Sequence, residues 1–112
     1  MKWLMWEKGR QKSGYDKMLI ASLPFPIPFD FYILRFPEGS EIKPHTDPTG
    51  DRRHYRLNWI IKPAQKGGSF VCNNCIIRTR HFFLFRPDIE KHAVTKIEKG
   101  TRYVISIGWL RK

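Results

Sequence analysis

In "KPHTDPTGDRRHYRLN", residues 43–58, His45 and Asp47 stand two apart, just ahead of a Pro-Thr-Gly turn. Side chains two apart on a strand project to the same face, so an imidazole and a carboxylate reach one point from a single strand end. They make half of a metal site. A facial set of two histidines and one carboxylate binds Fe(II) and leaves adjacent positions open for a co-substrate and oxygen, so another histidine is required. His54, His81 and His92 are the candidates. His54 sits among Arg52, Arg53, Tyr55 and Arg56, where a substrate contact or a solvated edge explains it equally well. His81 follows "RTR" at the head of an apolar run and reads as an exposed strand end. His92 ends "FRPDIEKH" and opens "HAVTKI", a loop-to-strand position able to face an interior, and is the preferred third ligand.

Arg102 follows ten residues later, in "KGTRYVISIGW". If Glu98 to Gly100 turn the chain, the strand beginning at His92 pairs with that of residues 101–109. His92 then lies opposite Ser106, with Arg102 roughly 13 Å further along. Arg102 and Ser106 share a face by the period of two, so a guanidinium fork and a hydroxyl can grip one carboxylate. Tyr103, Ile105, Ile107 and Trp109 make the opposite, packing face.

The elements that must position these groups are short and β-favouring: "YDKMLIASL", "FDFYILRF", "SEIKPH", "YRLNWIIK", "GSFVC", "CIIRTR", "HFFLF", "HAVTKI" and "RYVISIGWL". Turn clusters separate them, and no stretch holds a helical period. This spacing predicts an all-β antiparallel jelly-roll of about eight strands with little or no helix, two sheets facing a shared interior. "LPFPIPF" carries three prolines and is expected to be an extended crossing segment or rim loop. "VCNNCI" predicts a hairpin turn at Asn73-Asn74 with Cys72 and Cys75 as free thiols flanking it.

The chain has 112 residues, the size of one domain, with residues 1–28 read as an N-terminal strand and Pro-rich segment and 29–109 as the core. With 41% hydrophobic residues it can bury a core without a structural metal. It has no run of roughly 18 apolar residues and an early charge at Lys2, so a cytoplasmic protein without membrane contact is expected. The net charge of +11 makes a polyanion a reasonable partner class, although the cations are spread along the chain.

"HTD", then His92, then Arg102, resembles the Fe(II)- and 2-oxoglutarate-dependent oxygenases, in particular the prolyl-hydroxylase-like branch. "RLNWIIKPAQKGGSF" and "LFRPDIEKHAV" are similar to segments of that branch, and the likeness runs from about residue 29 to 109. The resemblance implies a double-stranded β-helix, the jelly-roll form also found in cupins, with Fe(II), 2-oxoglutarate and O2 as the reacting set. It implies that His45, Asp47 and His92 hold the iron, that Arg102 binds the distal carboxylate of 2-oxoglutarate with help from Ser106, and that Asn58 lines the pocket. Phe36 departs from the pattern: several branches carry there a tyrosine that bonds the co-substrate. The chain also departs in lacking the helical support found ahead of the core in many members. Trp3, Leu4 and Trp6 are expected to cover an outer sheet face, or that face pairs with another subunit.

The implied activity is hydroxylation of a C–H bond, or demethylation through hydroxylation. Arg53, His54 and Arg56 follow the metal strand and are expected to form a basic rim facing the substrate, which suits a nucleic acid or a protein segment. Two other readings stand beside this one: a basic jelly-roll that binds nucleic acid without turnover, and a cupin-like metalloenzyme that does not use 2-oxoglutarate. The last assigns Arg102 no role. Singly, each residue also has a bland explanation: Asp47 precedes Pro48 as an ordinary turn residue, and Arg102 could pair with Glu98 or Glu41.

Overall fold

The computed structural model describes residues 4–8, 14–23, 29–47, 50, 52–72 and 74–111. Every regular element among them is a strand: β1 (Trp6–Lys8), β2 (Asp16–Leu23), β3 (Phe29–Phe36), β4 (Ile42–His45), β5 (Arg53–Lys62), β6 (Lys66–Gly67), β7 (Phe70–Cys72), β8 (Ile77–Arg78), β9 (Phe82–Phe85), β10 (His92–Val94), β11 (Ile97–Lys99) and β12 (Arg102–Arg111). Among the described residues no helix is long and apolar enough to cross a membrane. The fold is an antiparallel jelly-roll. A large sheet runs β1-β2-β3-β12-β5-β9-β8, a smaller one runs β4-β10-β7, and β11 pairs with β6.

The long strands follow directly from residue type. β3, "FDFYILRF", and β12, "RYVISIGWLR", are rich in the β-branched and aromatic residues that fit a pleated surface. β12 alternates strictly: Arg102, Val104, Ser106 and Gly108 are buried, whereas Tyr103, Ile105, Ile107 and Trp109 are half-buried. Its register against β3 and β5 puts Ser106 between Tyr32 and Asn58. The core lies where the sheets face each other. Phe36, Phe83, Phe85 and Val104 from the large sheet meet Phe70, Cys72, Val94 and Ile97 from the smaller ones. Phe70 anchors the contact, its ring centroid 4.9 Å from those of Phe83 and Phe85.

Three expectations about pairing change. His92 does not pair with β12: β10 has β4 on one edge and β7 on the other, with both edges' hydrogen bonds taken. Glu98 and Lys99 belong to β11, which pairs with β6, and Gly100 leads on to β12 in the large sheet, so these residues do not close a hairpin. Nor do β7 and β8 form one, since β7 pairs with β10 and β8 with β9. Asn73 lies outside the described residues, as do Trp3 and the prolines at 24, 26 and 28. "HAVTKI" divides into two strands, and β1 and β6 are short pairings that periodicity does not reveal. Cys72 and Cys75 are free thiols, and burial, reinforced by the hydrogen bond with Cys75, pushes the Cys72 thiol up to about 12.

The Gly67-Gly68 pair is more than a loose turn. Both have positive φ, +77° and +72°, and a Cβ on Gly67 would lie 2.1 Å from the Lys96 carbonyl oxygen. Only a glycine lets β6 approach β11 this closely. At the opposite edge, the Asp16 carboxylate receives hydrogen bonds from Arg35 and Lys8. Burial works to raise its pKa, but these bonds outweigh it and hold the carboxyl below its ordinary value.

Candidate metal centre

β4 and β10 bring the two histidines together by register: His45 and His92 are direct partners, with ring centroids 4.3 Å apart. The Nδ1 of His45 lies 2.7 Å from the Lys43 carbonyl oxygen and that of His92 lies 3.0 Å from the Glu90 carbonyl oxygen. A carbonyl can only accept, so each Nδ1 donates to it, and each Nε2 is the ring atom turned toward Asp47. Asp47 lies two residues past the end of β4, held by its backbone N–H donating to the Pro87 carbonyl at 2.6 Å. Its Oδ2 is 3.5 Å from His45 Nε2 and 3.3 Å from His92 Nε2. The three residues each offer a ligand atom within 4.8 Å of the others. Orienting carbonyls of this kind are what a metal-binding imidazole ordinarily uses.

Among the four histidines the geometry selects His92 as the partner of His45 and Asp47. His81 is exposed. His54 lies on the inner face of β5 and lines the same cavity, but its Nε2 faces Arg56 Nη2 at 3.4 Å and its Nδ1 is buried without a partner. Burial first, then the neighbouring Arg56 charge, lowers its pKa and keeps it neutral at physiological pH.

The cavity between the sheets measures about 320 Å³, with His45, Asp47 and His92 on one wall and Asn58, Arg102 and Ser106 on the other. Arg102 is only 2% exposed. Its guanidinium carbon lies 5.0 Å from the centre of the Phe36 ring, and its Nη2 has no hydrogen-bond partner. Among the described residues no carboxylate pairs with it; Glu98 pairs instead with Lys66. Burial alone therefore acts on this cation and pulls it down to about 10, still charged at neutral pH. Tyr15 stacks on the other side-chain ring of this region, Phe36, at 4.9 Å and 21°. Tyr15 thus brings a hydroxyl-bearing ring to a cavity in which Phe36 has none.

Ser106 has a more specific environment than a shared face with Arg102 implies. Its Oγ accepts from Arg56 Nη1 at 2.7 Å and donates to Asn58 Oδ1 at 2.7 Å. Arg56 Nη2 also donates to both carboxylate oxygens of Asp30, at 2.8 and 3.0 Å. Gly108 makes this possible, because a Cβ there would lie 2.2 Å from Arg56 Nη2. The basic run is accordingly split by the strand period. His54 and Arg56 face the cavity, whereas Arg53 is exposed and is not among the residues lining it. The period of two, counted from Asn58, contains this division. Tyr15, Lys17 and Tyr32 also line the cavity, and only the pairing of β2 with β3 and of β3 with β12 places them there.

No protein-family model matches the chain, and no curated protein matches it. Solved structures do. KdgF from Halomonas sp. superposes with a TM-score of 0.63 at 16% identity, covering 100% of this chain and 96% of that one. The cupin domain of Cnp3 from Schizosaccharomyces pombe gives 0.66 at 11% identity, covering 94% and 67%. A viral collagen prolyl hydroxylase from Paramecium Bursaria Chlorella virus-1, solved as its 2OG complex, gives 0.56 at 18% identity, covering 78% of this chain and 61% of that one. The class is a cupin-type jelly-roll with a candidate His-Asp-His metal centre. Within that class, one of its structural neighbours is a 2-oxoglutarate-bound hydroxylase and others are cupins.

Proposed function

We propose that the protein is an Fe(II)- and 2-oxoglutarate-dependent oxygenase that hydroxylates, or demethylates through hydroxylation, a C–H bond of its substrate. The observation that carries this reading is Arg102: a buried, unneutralised guanidinium in the same cavity as the His-Asp-His cluster. A buried cation without a counter-ion is costly, and a dicarboxylate co-substrate removes that cost. The donor set fits the metal as well. Two imidazoles and one carboxylate suit Fe(II) and leave positions open.

In this reading His45, Asp47 and His92 hold the metal, and the Lys43 and Glu90 carbonyls orient the two rings. Arg102 receives the distal carboxylate as a two-pronged, charge-assisted contact. Phe70 and Phe85, packed beside His92, keep water from that wall. The Arg56, Ser106 and Asn58 network stiffens the facing wall, and His54 and Arg56 border the space left for the substrate. Fe(II) with 2-oxoglutarate and O2 supplies the oxidising power. A nucleic acid or a protein segment is the substrate class that the chain's basic charge favours.

The test is an anaerobic titration of the metal-free protein with Fe(II) and 2-oxoglutarate, followed by visible absorption. A charge-transfer band that needs both additions, weakens in Arg102→Met and is lost in Asp47→Ala is the expected result. Metal binding with no band in folded wild-type protein would sink the oxoglutarate assignment and favour a cupin-like metalloenzyme of other chemistry. Binding of nucleic acid that survives His45→Ala and Asp47→Ala, with no turnover of any kind, would favour a binding module.

A further inference from the structure

We propose that the outer face of the large sheet is the interface between two copies of this chain. The sheet register assembles that face from residues far apart in sequence. Trp6, Met18, Ile33, Ile105, Trp59 and Phe82 lie side by side across six strands. The next row runs Ala21, Phe31, Ile107, Leu57, Leu84 and Ile77, and a third holds Phe29, Trp109 and Tyr55. Every side chain in these rows is uncharged. The aromatic groups lie in stacked pairs, Trp59 on Phe82 at 5.5 Å and Tyr55 on Trp109 at 5.9 Å. Trp59, Phe82 and Ile77 are 43%, 40% and 49% exposed, and the β12 residues of the face are half-buried.

Size and charge together select the occupant. The fifteen residues of the three rows, at about 4.8 Å between strands and about 6.6 Å between rows, cover roughly 480 Å² in projection, and side-chain relief makes the accessible area larger. That lies in the range of the largest apolar patch of a monomer, a size that is often functional, and below the roughly 800 Å² per partner of a standard interface, so it suits a weak, concentration-dependent dimer. None of the 21 Lys and Arg residues stands in the three rows. The cations sit at the ends: Arg35 and Lys62 in register with Tyr103, and Arg53 with Arg111. The two guanidinium groups that reach over it, Arg35 above Trp6 and Arg86 above Tyr55, are already paired with Asp16 and Asp88, so a polyanion would find little free counter-charge on this face. A second copy presents a face of the same dimensions and the same lack of charge, related by a two-fold axis. The cavity opens between the sheets, on the side away from this face, so pairing leaves the metal centre accessible.

The cationic ends give the pairing a signature. Two copies of a +11 chain repel at the rim while their apolar rows attract, so added salt tightens the dimer, whereas it would loosen a complex with a polyanion. The experiment is sedimentation velocity of the full chain across protein concentration at low and high salt, with tryptophan emission in parallel. Three of the four tryptophans, Trp6, Trp59 and Trp109, stand on the face, so their emission shifts to the blue on association. A dimer is expected whose dissociation constant falls by about threefold or more with salt. Trp59→Glu, present twice per two-fold contact, raises that constant by about 100-fold. Ile77→Lys acts in the same direction from the far edge, and far-UV circular dichroism shows whether each variant is folded. A monomer at every concentration, or a dimer indifferent to both folded variants, overturns the proposal. So does a monomer that binds vesicles of anionic lipid through Trp59, which would make the face a membrane-binding surface.

Discussion

Replacing Arg102 by Met is expected to make the apoprotein more stable and unable to hold its co-substrate. Burial lowers the guanidinium from its ordinary value to about 10, and among the described residues no carboxylate pairs with it. At about 1.36 kcal/mol per unit, that difference corresponds to roughly 3 kcal/mol of uncompensated charge burial. Methionine fills most of the aliphatic space but leaves some void, which returns about 1 kcal/mol. A net gain of about 1–3 kcal/mol in urea denaturation of the metal-free, ligand-free protein follows. The folded-state pKa lies below the unfolded one, so the penalty is present in full below about 10 and is relieved only as pH rises from there toward the ordinary guanidinium value. The gain is therefore flat across neutral pH. With metal bound, 2-oxoglutarate should raise the melting temperature of wild type and leave that of the variant unmoved, because the two-pronged contact is gone. A variant clearly less stable than wild type would refute this account, since it would mean that Arg102 has favourable partners in the folded chain.

Gly108→Ala drives a methyl group into the Arg56 guanidinium and should cost about 1–3 kcal/mol by releasing its bonds to Asp30 and Ser106; in an Arg56→Ala background the same change should be nearly silent, which a double-mutant cycle in urea measures. Gly67→Ala forces a side chain at φ +77° against the Lys96 carbonyl, and thermal unfolding should show a loss of about 2–4 kcal/mol. Asp16→Asn should destabilise by about 1–2 kcal/mol at pH 7. Its folded pKa is below 3.8, so wild type keeps the stabilisation above that value and loses it as pH falls through the folded pKa. The two proteins should converge in acid urea titrations, and an Asn variant equal to wild type at pH 7 would show the Arg35 and Lys8 contacts to be idle.

Residue type and spacing already contained the chemistry of the candidate site. His45 and Asp47 are two apart at a strand end, His92 opens a strand, and Arg102 and Ser106 share a face, all of which the period of two makes legible. The same rule marked β3, β5 and β9 and separated the two faces of β12. The face of Tyr103, Ile105, Ile107 and Trp109, read as the packing face, is however the half-buried one, and the face of Arg102, Val104, Ser106 and Gly108 is buried between the sheets. The rule also held the separation of Arg53 from His54 and Arg56, which treating the basic run as one rim overlooked. Strand partnership was not legible in this way. A strand edge accepts any complementary edge, and which one it meets depends on segments tens of residues away. His92 and Ser106 therefore read as a hairpin pair, while the fold put β10 between β4 and β7 and so set His92 against His45. Tertiary structure alone decided that Ser106 is engaged by Arg56 and Asn58, that Tyr15 stacks on Phe36, and that Arg102 has no counter-ion among the described residues. Sequence specifies which face a side chain takes, because alternation is local; packing specifies what that face meets, because burial and partner choice are properties of the whole assembled pair of sheets.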